Sequence, residues 1–198
     1  MRVIGGNAKG RRLKAPKGRA LRPTAARVKE ALFNMLPRDL SGLRLLDLFA
    51  GTGNVTIEAL SRGAAQAILV DASTASGRAI RANLSALGLA ERAQLLIMPV
   101  ERALRQLERR REDFDLVFID PPYGRKLADR TLKTIARGFI LCPSGIIIAE
   151  HSVRDEIAQS YGRLEMRTRR RYGDTILSFF KWRHEGNTAA RTSPNGTT

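Results

Sequence analysis

Four residues, Asp120-Pro121-Pro122-Tyr123, follow directly on the largely apolar run Phe114-Asp115-Leu116-Val117-Phe118-Ile119. The prolines stop a strand there, because each removes a backbone donor and fixes φ. They leave carbonyls that no sheet ladder can use. The corner therefore sets a carboxylate, backbone acceptors and a flat ring side by side. Such a corner can hold a planar group that bears an amine. A strand-ending turn with a solvated aspartate is the other reading of the same residues. Asp120, Pro121, Pro122 and Tyr123 are the catalytic candidates.

A second constellation is Asp47-Leu48-Phe49-Ala50-Gly51-Thr52-Gly53-Asn54, which joins a strand to a helix. Gly51 and Gly53 let the backbone turn tightly and come close to a ligand. Asp71, with Ala72 after it, ends the next strand twenty residues beyond Gly51. A carboxylate at that place holds ribose hydroxyls. The same spacing fits a nicotinamide dinucleotide, but two residues speak against a pyrophosphate. Thr56 stands where the third glycine of G-x-G-x-x-G would be, and Asp47 would repel phosphates. S-adenosylmethionine has the opposite requirement, since its sulfonium and its amino group are cationic. Asp47, Asp71 and Asp120 are all expected at the carboxyl ends of parallel strands, where doubly wound sheets bind their ligands.

The elements that must position these residues follow from periodicity. Leu45–Phe49, Ala67–Val70, Leu95–Ile97, Phe114–Ile119 and Gly145–Glu150 read as buried strands. Between them lie helices over Asn54–Arg62 and Ser73–Leu87. Two more helices carry the stripes Val100, Ala103, Leu104, Leu107 and Ala128, Leu132, Ile135, Ala136, Phe139. Such alternation gives an α/β chain: a mostly parallel sheet, helices on both faces and right-handed crossovers. After a short helix near Arg154–Ser160, Leu164–Arg171 and Thr175–Lys181 flank Tyr172-Gly173-Asp174. They form an antiparallel C-terminal edge that completes a seven-stranded sheet.

Ahead of the sheet, Arg22-Pro23-Thr24 opens a helix with Thr24 as N-cap. Val28, Ala31, Leu32, Met35 and Leu36 form its buried stripe, Pro37 ends it, and Arg27, Lys29 and Asn34 stay off the core. Arg2-Val3-Ile4 and Arg12-Leu13-Lys14 flank a glycine-rich turn. They make a small N-terminal β-hairpin with so few apolar residues that it belongs on a surface. The expected organisation is a basic hairpin extension over 1–21, one domain over 22–184 and a disordered tail over 185–198.

The chain has 198 residues and ordinary apolar content, 43%, but a net charge of +16. That excess selects a polyanion as partner, most simply nucleic acid. Eleven Lys or Arg stand against one acid over Met1–Arg38, and seven against two over Arg163–Arg183. Two runs of one sign around a mixed-charge centre read as a binding surface. No apolar stretch approaches the roughly 20 residues of a spanning helix. No apolar signal region stands at the N-terminus. A cytoplasmic monomer without membrane attachment is expected. Cys142, alone, forms no internal disulfide or cysteine–zinc cluster and reads as a small buried hydrophobe. His151 and His184 are too few and too far apart for a metal site.

The motifs together resemble a known family. Asp47-x-Phe-Ala-Gly-Thr-Gly, Glu58-Ala-Leu-Ser-Arg-Gly-Ala64 and Asp120-Pro-Pro-Tyr123 are similar to motifs of class I, S-adenosylmethionine-dependent methyltransferases, which are Rossmann-like. Ile4-Gly-Gly, Lys9-Gly-Arg-Arg-Leu13, Arg22-Pro-Thr24 and Arg27-Val-Lys-Glu-Ala-Leu-Phe-Asn34 narrow the resemblance to the small-subunit (16S) ribosomal RNA guanine-N2 methyltransferases. It runs in order from about Arg2 to Lys181.

The resemblance implies that Asp47, Phe49, Ala50, Gly51, Thr52, Gly53 and Asn54 wrap the methionine part of S-adenosylmethionine. Asp71, with Ala72, stands at its ribose, and Arg22 and Thr24 approach its carboxylate and the mouth. Where the family commonly places Asp or Asn at the adenine amine, this chain reads Met98-Pro99-Val100. Pro99 has neither a side-chain acceptor nor an N–H, so that contact falls to backbone such as Val100 or to packing. Asp120–Tyr123 receive the base, and Lys9, Arg11, Arg12, Arg22 and Arg27 contact RNA. The implied partner is ribosomal RNA or a small ribosomal subunit particle.

The implied chemistry is transfer of a methyl group to an amine whose lone pair is delocalised into a purine ring. Its hydrogens would bond the Asp120 carboxylate and the Pro121 carbonyl while Tyr123 stacks on the base. D-P-P-Y is shared with adenine-N6 enzymes, so the N-terminal blocks alone favour guanine. An adenine-N6 DNA methyltransferase remains as a rival. So do a ribosome-assembly protein that binds RNA without chemistry and an NAD-dependent enzyme.

Overall fold

The structure is a computed structural model that describes residues 1–14 and 23–183. Strands β1 (Arg44–Leu48), β2 (Gln66–Asp71), β3 (Ala93–Ile97), β4 (Phe114–Ile119) and β5 (Leu141–Ser152) are parallel. An antiparallel edge follows, made by β6 (Ser160–Tyr161), β7 (Leu164–Tyr172) and β8 (Thr175–Trp182). The order across the sheet is β3-β2-β1-β4-β5-β8-β7-β6. The strand order thus reverses between the parallel strands β1 and β4, which opens a ligand crevice outside their carboxyl ends.

Alternation along each strand supplies two cores. On one face, α4 (Val100–Arg109) and α5 (Leu127–Ile135) set Leu104, Leu107, Leu132 and Ile135 against Leu46, Leu48, Val117 and Ile119. On the other, α1 (Pro23–Asn34), α2 (Asn54–Ser61) and α3 (Thr74–Ala86) set Leu32, Ile57 and Ile80 against Leu45, Leu69, Phe118 and Ile148. Among the described residues no helix is long and apolar enough to cross a membrane.

Several local expectations are corrected. The sheet has eight strands rather than seven, because Ser160–Tyr161 pairs with β7. No helix forms over Arg154–Ser160. The Tyr161 hydroxyl instead accepts from Ala158 N at 3.0 Å and donates to Asp129 Oδ1 at 2.9 Å, which fixes that stretch as irregular chain. Helix α1 begins at Pro23, not after Thr24, using the one helical position where a missing N–H costs nothing. It ends at Asn34, so Met35 is exposed, and Phe33 rather than Met35 joins the core. Helix α5 stops at Ile135, and Phe139 is 89% exposed. Cys142 is only half-buried. The tail over 185–198 lies outside the described residues.

The largest correction concerns the N-terminus. Arg2 and Arg12 do form an antiparallel bridge, with Val3 N donating to Arg11 O at 3.0 Å. Val3 and Leu13, however, are buried in the core of α1–α3. The segment is held by polar groups that the sequence reading left unassigned. Glu58 of α2 is fully buried and accepts from Ile4 N at 2.8 Å, Lys29 Nζ at 3.1 Å and Arg62 Nε at 3.0 Å. Lys29, expected off the core, is 5% exposed and also donates to Arg2 O and Asn54 Oδ1. Burial pushes its ammonium below the ordinary lysine range, and Glu58 opposes that shift. Ser61 Oγ donates to Gly5 O and accepts from Ala8 N. At Gly6, with φ +71°, a Cβ would lie 1.8 Å from Ser61 O. Only glycine fits so close a backbone approach.

Removing one partner of a buried ion pair leaves the other charge uncompensated, at about 3–5 kcal/mol. Lys29→Met is therefore expected to lower the unfolding free energy by about that amount in denaturant titration. Arg27→Met, at an exposed position two residues earlier in the same helix, is expected to stay within about 0.5 kcal/mol of the parent.

Candidate active site

Four carboxyl groups gather at the carboxyl ends of adjacent strands. Asp71 ends β2, Asp47 sits in β1, Asp120 follows β4, and Glu150 stands in β5. Each lies two residues beyond a member of one core: Leu69, Leu45, Phe118 and Ile148. Period-two alternation carries all four to the same face of the sheet. Asp47 is 2% exposed, and its Oδ2 accepts from Thr56 Oγ1 at 2.6 Å. Burial raises its pKa to about 7, with smaller upward contributions from Asp120 and Asp71 against the Thr56 bond. Thr56, in the place of a third glycine, is thus the residue that holds Asp47.

The glycine loop is hooked over this row. Phe49, Gly51 and Gly53 have φ of 68°, 59° and 72°. For a phenylalanine that left-handed conformation costs on the order of 1–3 kcal/mol. Surrounding bonds over-determine it: Ala50 N donates to Val70 O at 2.9 Å and Gly51 N to Asp71 Oδ2 at 2.8 Å. Asp71 Oδ1 accepts from Ser73 N at 2.8 Å, just past the exposed Ala72. A carboxylate has about four acceptor positions, so Asp71 keeps capacity for ribose hydroxyls. Thr52 is buried, and its carbonyl accepts from Asn83 Nδ2 at 3.1 Å. Asn83 also exchanges bonds with Lys14 N and Lys14 O, which ties the loop to the N-terminal segment. Asn54 faces that segment as well, through Lys29.

Beside Asp71, Met98 N donates to Asp71 O at 3.1 Å, and Pro99 then caps α4. The Pro99 carbonyl is taken by Arg102 N and Ala103 N. Val100 N is one of the first-turn donors without an intrahelical acceptor. As a donor it suits a ring nitrogen of an adenine edge, and it does not replace the missing acceptor for the adenine amine.

At the corner, Asp120 N donates to Leu48 O at 3.3 Å, Pro121 is buried and Pro122 exposed. Tyr123 is 36% exposed, with its hydroxyl 3.3 Å from Glu150 Oε1 and 3.2 Å from Thr175 Oγ1. Its ring is accessible but anchored at the far end. Burial pushes the Tyr123 hydroxyl up to about 12. Neither Glu150 nor Thr175 was singled out in the sequence. Both reach the corner only because β5 pairs with β4 on one side and β8 on the other.

Of the cationic candidates, Lys9, Arg12 and Arg27 are exposed on the face of α1 and the N-terminal segment. The Arg11 guanidinium donates to Ala86 O at the end of α3. Arg22 lies outside the described residues, as does the side chain of Thr24. The structure adds a group on the opposite face: Arg102, Arg105, Arg109 and Arg110 line a groove of about 330 Å3 on α4. Among the described residues these four arginines form no ion pair. Glu101 pairs instead with Arg130, and Glu112 and Asp113 with Arg44.

Asp47 carries a sign for stability. Its folded pKa, about 7, exceeds the ordinary aspartate value of 3.8 that holds in the unfolded chain, so the folded state binds more protons between those limits. Stability therefore falls as pH rises from about 4 to 7. Glu150, raised to about 8 by burial and then by Asp120, acts in the same sense. Asp47→Asn, which keeps an acceptor for Thr56, is expected to flatten this fall when melting temperature is followed from pH 4 to 8.

The model of the family described as "Conserved hypothetical protein 95" matches residues 1–181. The "Putative rRNA methyltransferase YlbH" of Bacillus subtilis is 40% identical over 183 residues, 92% of this chain and 100% of that protein. The "Ribosomal RNA small subunit methyltransferase D" of Escherichia coli K12 is 34% identical over 155 residues, 78% of this chain and 76% of that one. The solved structure of "Putative methyltransferase yhhF" from Escherichia coli superposes with a TM-score of 0.80 at 30% identity, covering 93% of this chain and 99% of that chain. The fold is that of the class I methyltransferases, and the chain belongs to the conserved hypothetical protein 95 family, which includes the ribosomal RNA small subunit methyltransferase D proteins.

Proposed function

We propose that the chain transfers a methyl group from S-adenosylmethionine to the exocyclic N2 amine of a guanine in small-subunit ribosomal RNA. The observation that carries this reading is the row of carboxyl groups sharing one mouth in a chain of net charge +16. A buried Asp47 held by Thr56 suits a ligand that brings positive charge, and repels a pyrophosphate. Bound there, S-adenosylmethionine supplies an electrophilic methyl group on a sulfonium centre.

The residues of this chain do the rest by placement. Asp47 and the loop through Asn54 would hold the cationic methionine end, Asp71 the ribose, and Val100 N the adenine edge. Asp120 and the Pro121 carbonyl would accept the two amine hydrogens, which aims the nitrogen at the methyl carbon. Holding both reactants in line lowers the barrier, and a site with little water strengthens every electrostatic contact in it. Asp120 is placed to take the proton released after transfer. Tyr123, fixed through its hydroxyl, would stack on the base, a contact worth roughly 1–3 kcal/mol. The base must leave its own stack to enter, so an unpaired nucleotide is the target.

The deciding experiment is transfer of labelled methyl to ribosomal RNA, or to small-subunit particles lacking the mark, followed by nucleoside analysis. N2-methylguanosine is the expected product. N6-methyladenine would favour the adenine enzyme, and RNA binding without product the assembly protein. Asp120→Ala is expected to abolish transfer while leaving S-adenosylmethionine affinity within a few-fold of the parent. Affinity for RNA is expected to fall with salt, with a log–log slope near −0.7 per neutralised phosphate on single strands; an affinity indifferent to salt would remove the arginines from this role.

A further inference from the structure

One member of the carboxyl row has no part in the reaction as described. Ile119 of β4 pairs with Ala149 of β5, so Asp120 and Glu150 come next on adjacent strands. Both continue the face of Phe118 and Ile148, and neighbouring strands lie about 4.8 Å apart. Glu150 Oε1 is also 3.3 Å from Tyr123 Oη. It therefore borders both the amine-binding carboxylate and the ring on which a base would stack. His151, next along β5, turns to the other side, where Nδ1 donates to Ser152 O and Nε2 accepts from Ser178 Oγ. It has no access to the corner.

An amine held by one carboxylate and one carbonyl does not distinguish guanine from adenine. The neighbouring ring position does. Guanine carries a hydrogen on N1 beside its N2 amine, whereas adenine has a bare lone pair on N1 beside its N6 amine. A second acceptor next to the first matches guanine and repels adenine.

We propose that Glu150 is this second acceptor, a specificity-determining residue that takes the N1 hydrogen of guanine while Asp120 takes a hydrogen of its N2 amine. The inference rests on the reading that the chain methylates guanine at N2, and it identifies what inside the corner reads the base. Among the described residues, the groups bearing on Glu150 are Asp120 of the β4 end and the Tyr123 hydroxyl, which itself contacts Thr175 Oγ1 of β8. Burial and the Asp120 charge favour the protonated form up to about pH 8, against the Tyr123 bond. The ionised carboxylate is the stronger acceptor. Binding of guanine thus draws the proton off Glu150, and kcat/KM rises with pH until about 8 and then levels.

The test compares guanine with 2-aminopurine, which keeps the amine but has a bare N1, at the methylated position of whichever RNA or reconstituted particle the wild-type chain modifies. Wild type is expected to prefer guanine in kcat/KM by about tenfold or more, the worth of a charge-assisted hydrogen bond. Glu150→Gln, whose amide can donate to N1, is expected to shrink that preference by about tenfold and to remove the rise toward pH 8. Glu150→Asp, which keeps the acceptor, is expected to retain the preference at lower turnover and serves if the glutamine variant folds poorly. Tyr123→Phe removes the hydroxyl but leaves both carboxyl groups in place, and is expected to slow both substrates alike. An unaltered guanine preference in Glu150→Gln, or an equal loss of preference in Tyr123→Phe, would overturn the assignment. Absence of N2-methylguanosine with the wild-type chain would instead overturn the reading on which it rests.

Discussion

Like charge crowded on one face of four neighbouring strands is the constraint around which this molecule is built. Burial first, and the charge of neighbouring Asp120 after it, raises the pKa values of Asp47 and Glu150 in this partly buried mouth. Hydrogen bonds set against it include Thr56 to Asp47, Gly51 and Ser73 to Asp71, and Tyr123 to Glu150. Each donor lies on a loop or helix start that must be held in place for the bond to exist. The mouth is consequently a less stable part of the structure. A ligand that brings positive charge or a pair of N–H groups relieves the repulsion, so binding there is coupled to release of protons.

That arrangement demands a stiff frame, which the chain supplies on one side of the sheet. Phe49 is held in a left-handed conformation by bonds to the ends of β2, and Thr52 by Asn83. Asn83 also fixes Lys14, while Glu58 gathers Ile4, Lys29 and Arg62. Replacing such a buried ionic network with apolar residues is often no less stable. What it does here is define one place for the N-terminal segment relative to α1, α2 and the loop. Lys9 and Arg12 are then carried on chain fixed to the same helix that begins at the glycine loop.

The sequence made the parallel sheet, its helices and the acidic ends of three strands legible, because those depend on local period and on residues adjacent in the chain. Asp120–Tyr123 could be located from its prolines alone. Glu150 could not: Ile146–Glu150 reads as the end of a buried strand, and only the register of β5 against β4 sets that carboxyl beside Asp120. Thr175 needed the antiparallel register of β8 in the same way. Lys29 looked like a surface cation because its partner is distant in sequence and its own helix shows only a partial stripe. Val3 and Leu13 were too isolated to signal a core position, yet two apolar residues suffice when the polar backbone around them is met by Ser61, Glu58 and Asn83.

The contrast between a basic exterior and an acidic mouth has a consequence for the proposed reaction. At physiological salt a charge is felt over about 8 Å, so the exposed arginines act on a polyanion before the recessed carboxyl groups do. The phosphate backbone is drawn to the rim and, once there, is repelled from the row of Asp47, Asp71 and Asp120. Only an uncharged part of the nucleotide can advance. A base turned out of its stack is such a part, and its N–H edge is attracted where a phosphate is not. The two opposed fields therefore orient the substrate: backbone outside, base inward, donor edge first. An acceptor pair at Asp120 and Glu150 meets that edge at the end of its path.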